Sequence, residues 1–391
     1  MNRLGIVVQR YGGQVIGGAE TLAREVAERL SRRGCDVRVY TTTAQDYLSW
    51  KNHYPPGETI LRGVLIKRFW VEGERDIEDF NRFSQVFFGP AAEERDESEW
   101  IRRQGPFCPD LVAALRQDEK ELDALLFFTY LYYPTVEGMP AVSKPALLFP
   151  TAHDEPPLYL RRMRDAFARA NALCFLTQAE MDLVARVFRP AAPMILVRSG
   201  IDIHPSADEA IFRRQHLVFK PYLLYAGRIE KGKGLELVFD AFRRIRGQRP
   251  LELILIGKQL MPIPEEPGIR YLGYVSEAEK AAAFRGALLS VQPSALESLS
   301  ITTLESFAQR TPVLVNRQSA VLREHMEISQ GGRGYGSVEE FVAAVLEMYD
   351  KPTLRRKMGD AGHAYIRQYY SWDTVTERIL EAVAAAISVQ H

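Results

Sequence analysis

Short apolar runs alternate with helix-patterned segments along almost the whole chain, and no other feature restricts the fold as much. Residues 4–8, 37–41, 124–129, 145–149, 172–177 and 194–197 are such runs, and residues 19–33 between the first two are amphipathic and end at Gly34. Near-continuous apolar strands separated by helices predict a parallel sheet covered on both faces. The rhythm pauses over the polar residues 202–221, which contain Pro205 and Pro221 and read as a linker. It restarts with candidate strands at 222–225, 251–256, 269–272, 287–292 and 312–315. Two consecutive blocks of this kind predict an α/β chain with two doubly wound parallel-sheet domains. Each has its ligand edge at the carboxyl ends of its strands, and a cleft forms if the two edges face each other.

Composition narrows the class of function. The 391 residues suit two domains, and 46% apolar with 26% charged residues is globular rather than disordered. Fifty Lys and Arg balance fifty Asp and Glu, which argues against a partner gripped by bulk charge, so no nucleic acid is expected. Three separated cysteines (Cys35, Cys108, Cys174) offer no disulfide framework and fit a reducing compartment. The opening residues carry only a five-residue apolar run before Gln9 and Arg10. A soluble, cytoplasmic protein is expected, meeting a membrane only peripherally, at the inner face. Residues 72–116, rich in charge and aromatics, read as a helical insertion in the first domain, and 372–388 as a C-terminal helix.

Four stretches at strand ends carry chemistry. Gly17-Gly18-Ala19-Glu20 lies between the first strand and a helix, where glycines admit close backbone approach and helix N–H groups suit a phosphate; an ordinary tight turn reads the same way. Gly227-Arg228-Ile229-Glu230-Lys231-Gly232-Lys233-Gly234 follows the first strand of the second block. It nearly spells a Walker A loop, but Gly234 stands where a Mg²⁺-holding Ser or Thr is required, and 251–256 runs into Gly257-Lys258 rather than an Asp. What remains is an Arg and a Lys that could stabilise a departing diphosphate, or a solvated basic turn. The third, Glu297-Ser298-Leu299-Ser300-Ile301-Thr302-Thr303-Leu304-Glu305, puts two carboxylates around a turn that opens a helix. Carboxylates accept from vicinal hydroxyls, and the N–H groups near Ser300 and Ile301 suit an anion, although Glu305 also reads as an acid favoured by the dipole of a first helical turn. The fourth is His153, in Thr151-Ala152-His153-Asp154-Glu155, a cleft-side or a merely structural histidine whose acidic neighbours should point away from it. No Asp-x-Asp or His-x-x-x-His supports a metal, so none is assigned.

Together these residues resemble glycosyltransferase family 4, retaining nucleotide-sugar-dependent enzymes of the GT-B architecture with two Rossmann-like domains. Gly17-Gly18-Ala19-Glu20, the His153 loop, Gly227-Arg228 with Lys233-Gly234, and Glu297 with Glu305 follow the family's order, as does Ser199-Gly200-Ile201-Asp202. The match runs from residue 4 to about 325. Glu297-Ser298-Leu299-Ser300 departs from the common Glu-Gly-Phe-Gly, and Arg310-Thr311-Pro312-Val313 lacks the usual Gly before Pro-Val; residues 330–335 are read as a loop without the common Thr-Gly-Leu-Leu.

The resemblance implies roles. Arg228 and Lys233 would hold the donor diphosphate, with backbone at Gly17, Gly18, Gly227, Ser300, Ile301 and Thr302 completing the cradle. Glu305 would bind the ribose, Glu297 the transferred sugar, and His153 would approach that sugar from the first domain. It implies hexose transfer from a nucleotide sugar, UDP-linked above others, to a carbohydrate or lipid-linked saccharide acceptor, with no cofactor beyond the donor. Domains are expected at 1–205 and 206–370, with 371–391 crossing back to the first. The rivals are an epimerase or phosphorylase of the same fold and a non-catalytic nucleotide-sugar-binding protein. A dehydrogenase is disfavoured, because the stretch from Gly12 to Gly18 does not give the Gly-x-Gly-x-x-Gly spacing. Arg161, Arg162 and Arg164 could face anionic headgroups, but read more readily as a solvated helix face.

Overall fold

The computed structural model describes residues 2–15, 17–89, 96–203 and 208–388. The chain divides into two compact units, residues 1–197 with 375–391, and residues 198–374. The boundary expected between residues 205 and 206 lies outside the described residues, as do 90–95 of the expected insertion and 389–391 of the last segment.

The first unit runs β1 (Arg3–Val7), α1 (Gly18–Arg32), β2 (Asp36–Thr42), β3 (Gly57–Leu61), β4 (Val64–Phe69), α2 (Ile77–Phe87), α3 (Glu97–Gln104), α4 (Pro109–Asp118), β5 (Ala124–Phe128), α5 (Tyr133–Ala141), β6 (Ala146–Phe149), α6 (Arg161–Arg169), β7 (Ala172–Phe175), α7 (Gln178–Phe188) and β8 (Met194–Leu196). Its eight strands lie in the order β3-β4-β2-β1-β5-β6-β7-β8. Every residue of β5, β6 and β7 is buried, as a strand covered on both faces requires. Helices α2 and α3 bring Phe80, Phe87 and Trp100 into the same apolar core as Leu125 and Phe127.

The sheet is not wholly parallel, because β3 pairs antiparallel with β4 through Leu61↔Val64. The hairpin turns on Arg62 and Gly63, both at positive φ (50° and 82°). A two-residue turn that matches strand twist needs positive φ at both positions, and an Arg-Gly pair is a weaker signal for it than Asn-Gly. That is why the sequence did not announce it.

The second unit holds α8 (Glu209–Gln215), β9 (Tyr222–Ala226), α9 (Leu235–Arg246), β10 (Glu252–Ile256), β11 (Ile269–Gly273), α10 (Glu277–Gly286), β12 (Leu289–Gln292), α11 (Ile301–Ala308), β13 (Val313–Asn316), α12 (Ala320–Ser329), β14 (Gly332–Tyr335), α13 (Val338–Asp350) and α14 (Pro352–Tyr369); α15 (Trp372–Ser388) begins at its end. Its six strands, β11-β10-β9-β12-β13-β14, are all parallel. The strand order turns around at β9, whose neighbours are β10 on one side and β12 on the other. In the first sheet the same reversal falls at β1, between β2 and β5. A crevice opens at the carboxyl ends of such neighbours, where loops leave in opposite directions.

Two sequence expectations are corrected here. The stretch read as a linker contains α8, started by the Asp208 carboxylate accepting from Ala210 N and Ile211 N and anchored by buried Phe212. About two turns with a single buried apolar residue are too short to show a helical period. The segment 330–335, read as a loop, contains β14. Its Gly332 sits so close to β13 that a Cβ there would lie 2.0 Å from the Val313 carbonyl, so glycine permits this strand rather than breaking it.

Candidate active site

In the second unit the turn after β9 is built by glycines and one tyrosine. Gly227 has φ 151°, and Gly257, at φ 128°, lies against it, where a Cβ would meet the Gly227 carbonyl at 2.0 Å. The Tyr225 hydroxyl donates to the Arg228 carbonyl (2.6 Å), and Ile229 N donates to Lys258 O (2.8 Å), so the turn is fastened on both flanks. Burial, with help from Glu297 and Glu230, pushes the Tyr225 phenol up, and it stays a donor. Gly234, at φ 75°, opens α9 and presses on the next loop, where a Cβ would stand 2.5 Å from Pro293 O.

That contact brings two predicted residues together across 64 positions of sequence, with Lys233 Nζ 2.9 Å from Glu297 Oε1. Arg228 reaches Glu230 at 3.1 Å and remains 41% exposed. The loop leaving β12 is fixed by Asn316 Nδ2 donating to Pro293 O and by Gln292 Nε2 donating to Thr302 Oγ1 (2.6 Å). It ends at Ser300 in the left-handed region (φ 59°), directly before Ile301 and Thr302 start α11. A serine takes the conformation a glycine would hold more easily, and the turn is kept.

Glu305 is not a first-turn acid. It is the fifth residue of α11, and its Oε1 accepts from Lys280 Nζ of α10 at 2.8 Å. Lys280 also meets Glu277 at 2.9 Å. Burial pulls the Lys280 ammonium down, but the two carboxylates outweigh it and the net shift is upward. Sequence reasoning missed Lys280, since a lysine in the first turn of a helix carries no signal beyond solubility.

Gly17, Gly18 and His153 belong to the first unit and lie at the carboxyl ends of β1 and β6, with β5 between those strands. A Cβ on Gly17 would fall 2.1 Å from Glu20 Oε2, so glycine lets Glu20 fold back. The buried Glu20 carboxylate accepts from Gln9 Nε2 (2.8 Å) and Arg10 Nε (2.9 Å), a brace beneath the turn that the motif alone did not reveal. His153 does not diverge from its neighbours as expected. Its Nδ1 lies 2.9 Å from Glu155 Oε1, which also accepts from the Tyr130 hydroxyl (2.6 Å). Behind this loop, the fully buried Glu180 of α7 accepts from Ala152 N (2.8 Å) and Leu176 N (3.0 Å). Burial raises its carboxyl to about 7 against the lowering effect of those amides and of His153. Of the basic stretch in α6, Arg162 is paired with Glu137.

Among the described residues no group of His, Cys, Asp or Glu is placed to hold a metal, and no helix is long and apolar enough to cross a membrane. Residues 208–365 match the family model described as glycosyl transferases group 1. Over 404 aligned positions, covering 97% of this chain and 93% of the other, it is 25% identical to a D-inositol 3-phosphate glycosyltransferase of Pseudarthrobacter chlorophenolicus. Its fold is similar to a sucrose-phosphate synthase from Thermosynechococcus elongatus (TM-score 0.76, 15% identity, 100% of each chain). It is similar as well to Anabaena HepE in complex with UDP and glucose (TM-score 0.73, 16% identity, 98% of this chain and 100% of that one).

Two doubly wound units, each with its glycine-bearing turn at a reversal of strand order, define the GT-B class. Within that class the chain is an enzyme, a glycosyltransferase, with residues 208–365 similar to the group 1 enzymes.

Proposed function

We propose that this enzyme transfers a hexose from a UDP-sugar to a carbohydrate or lipid-linked saccharide acceptor with retention of anomeric configuration. The carrying observation is the pair of turns at the carboxyl ends of β9 and β12, where Lys233 of one meets Glu297 of the other and Arg228 stands two residues after the end of β9, its carbonyl held by the Tyr225 hydroxyl. Arg228 and Lys233 take the departing diphosphate, and Gly227 and the amides at Ser300, Ile301 and Thr302 complete its cradle. Glu305 accepts from the ribose hydroxyls and Glu297 from those of the transferred sugar. Gly17 and Gly18 supply backbone to the donor phosphates, and His153 approaches the sugar. As the bond from the anomeric carbon to the phosphate oxygen breaks, its electron pair stays on that oxygen, which takes the acceptor hydroxyl's proton while the acceptor oxygen bonds to the same face of the carbon. The two cations carry the charge that develops, and orientation does the rest.

The lysine is not locked away from such a ligand. The side chains of Lys233 and Glu297 are 24% and 16% exposed, and an ion pair this accessible has a net worth of about 1 kcal/mol, so a diphosphate can replace the carboxylate. The domain limits read from the sequence, residues 1–205, 206–370 and 371–391, belong to the same proposal. Release of nucleotide diphosphate from a panel of UDP-, GDP- and ADP-sugars, first without acceptor and then with saccharide acceptors, tests the reading. Turnover of a UDP-hexose that persists in EDTA is expected. No release from any donor, sugar epimerisation without transfer, or a strict Mg²⁺ requirement would overturn it.

A further inference from the structure

Beneath the loop that ends at Ser300 runs a line of four buried polar side chains. His325, on α12, has no exposed surface, and its Nε2 lies 2.7 Å from the Leu299 carbonyl. Its Nδ1 lies 3.2 Å from the Tyr365 hydroxyl, which lies 3.0 Å from the Tyr370 hydroxyl, which accepts from Arg198 at 2.9 Å. One direction of donation satisfies the whole line. A carbonyl only accepts, so Nε2 carries the imidazole proton and Nδ1 accepts from Tyr365. The Tyr365 oxygen then accepts from Tyr370, whose own oxygen accepts from an arginine that can only donate. Burial holds the imidazole down, to about 4, so the ring keeps this single proton at neutral pH.

The line ends on the peptide that matters. Across a planar trans peptide the Leu299 carbonyl and the Ser300 N–H point in opposite directions, so a carbonyl drawn inward to His325 turns that N–H outward. Ser300 sits at φ 59°, a conformation unfavourable for a serine. Flipping this one peptide would turn φ by about 180° to a negative value, out of the left-handed region, and reverse the N–H. Something must hold the peptide against that flip.

We infer that His325 is a positioning residue for sugar transfer, holding the Leu299 carbonyl so that the Ser300 N–H faces the donor diphosphate. Tyr365, Tyr370 and Arg198 keep the ring in the required tautomer. This rests on the donor-cradle role proposed above for Ser300. Nothing in the spacing of the glutamates points to it, since His325 lies on a different helix from either.

The test uses the full chain and the nucleotide sugar turned over in the panel. His325→Phe keeps the ring volume but cannot donate to Leu299 or accept from Tyr365, whereas His325→Gln can do both. His325→Phe should lower kcat about 100-fold with KM within about threefold, the pattern of a lost transition-state contact. His325→Gln, at a comparable Tm, should keep kcat within about fivefold of the parent. A folded His325→Phe with parental kcat overturns the inference, as does a Gln variant as slow as the Phe variant. Should His325→Phe not fold, Tyr365→Phe decides. It leaves Nε2 on Leu299 but frees Nδ1, so kcat should fall about fivefold, and an unchanged kcat overturns the relay. Arg228→Ala separates the two failures, because parental turnover in that variant removes the donor reading itself, as would the absence of turnover with every donor.

Discussion

Lys233→Met separates two readings of the same 2.9 Å contact. If Lys233 serves only to neutralise Glu297, its loss strands a carboxylate that is 16% exposed, and the cost falls on stability, as a lowered Tm. The rate should then recover when the stranded charge is also removed, so Lys233→Met with Glu297→Gln should behave like the parent. If Lys233 carries charge developing on the departing diphosphate, the loss appears at the barrier. One preorganised donor contributes about 3 kcal/mol there, which at about 1.4 kcal/mol per decade is a loss of some two decades in kcat. The double variant would then be no faster than Lys233→Met, because on the proposed reading Glu297 also binds the transferred sugar. Initial rates of nucleotide diphosphate release across donor concentrations give kcat and KM for both single variants and the pair, and thermal unfolding of the same samples gives the stability cycle. A Lys233→Met enzyme within threefold of the parent, or a double variant restored to parental turnover, refutes the leaving-group assignment.

Two further outcomes follow from the same geometry. The Glu180 carboxyl, raised by burial to about 7 from an ordinary 4.5, binds its proton more tightly in the folded chain than in the unfolded one. The stability this contributes is complete below pH 4.5 and is lost as pH rises through 7, so Glu180→Gln should flatten that part of the unfolding profile between pH 5 and 8, and an unchanged slope counts against it. Gly257→Ala puts a Cβ 2.0 Å from the Gly227 carbonyl at φ 128° and should cost at least about 2 kcal/mol in urea unfolding, with loss of turnover as the Arg228 turn shifts.

What the sequence made legible was whatever repeats or sits beside a glycine. The buried strands β5, β6 and β9 are continuous apolar runs, and a strand covered on both faces can be little else. Arg228 and Lys233 could be singled out because Gly227, Gly232 and Gly234 mark a turn that needs positive φ at each glycine. The short α8 escaped because seven residues show no period, whereas the hairpin of β3 and β4 and the glycine-bearing β14 escaped because each owes its form to a neighbour in space rather than to its own pattern. The side chains that support the site escaped for the same reason. Lys280 is a routine helix lysine until Glu305 is found 2.8 Å away, and Glu180 is a routine first-turn acid until two amides are found on its oxygens.

His325 shows the limit most clearly. A single histidine in a helix of mixed residues is silent in sequence, yet its partners at positions 299 and 365 fix the orientation of one peptide plane. Motifs record residues that meet the ligand. They do not record residues that hold those residues still, because a brace can be built from any element that happens to pack behind the loop. This chain carries Ser300 at a positive φ, where a glycine would hold the turn at less cost, so it has more need of such a brace. The same argument says where variation should be tolerated. Replacing Ser300 with Gly lowers the cost of the turn, so Ser300→Gly should lessen the kcat penalty of His325→Phe, and equal penalties in both backgrounds would show that the histidine acts on something other than this peptide.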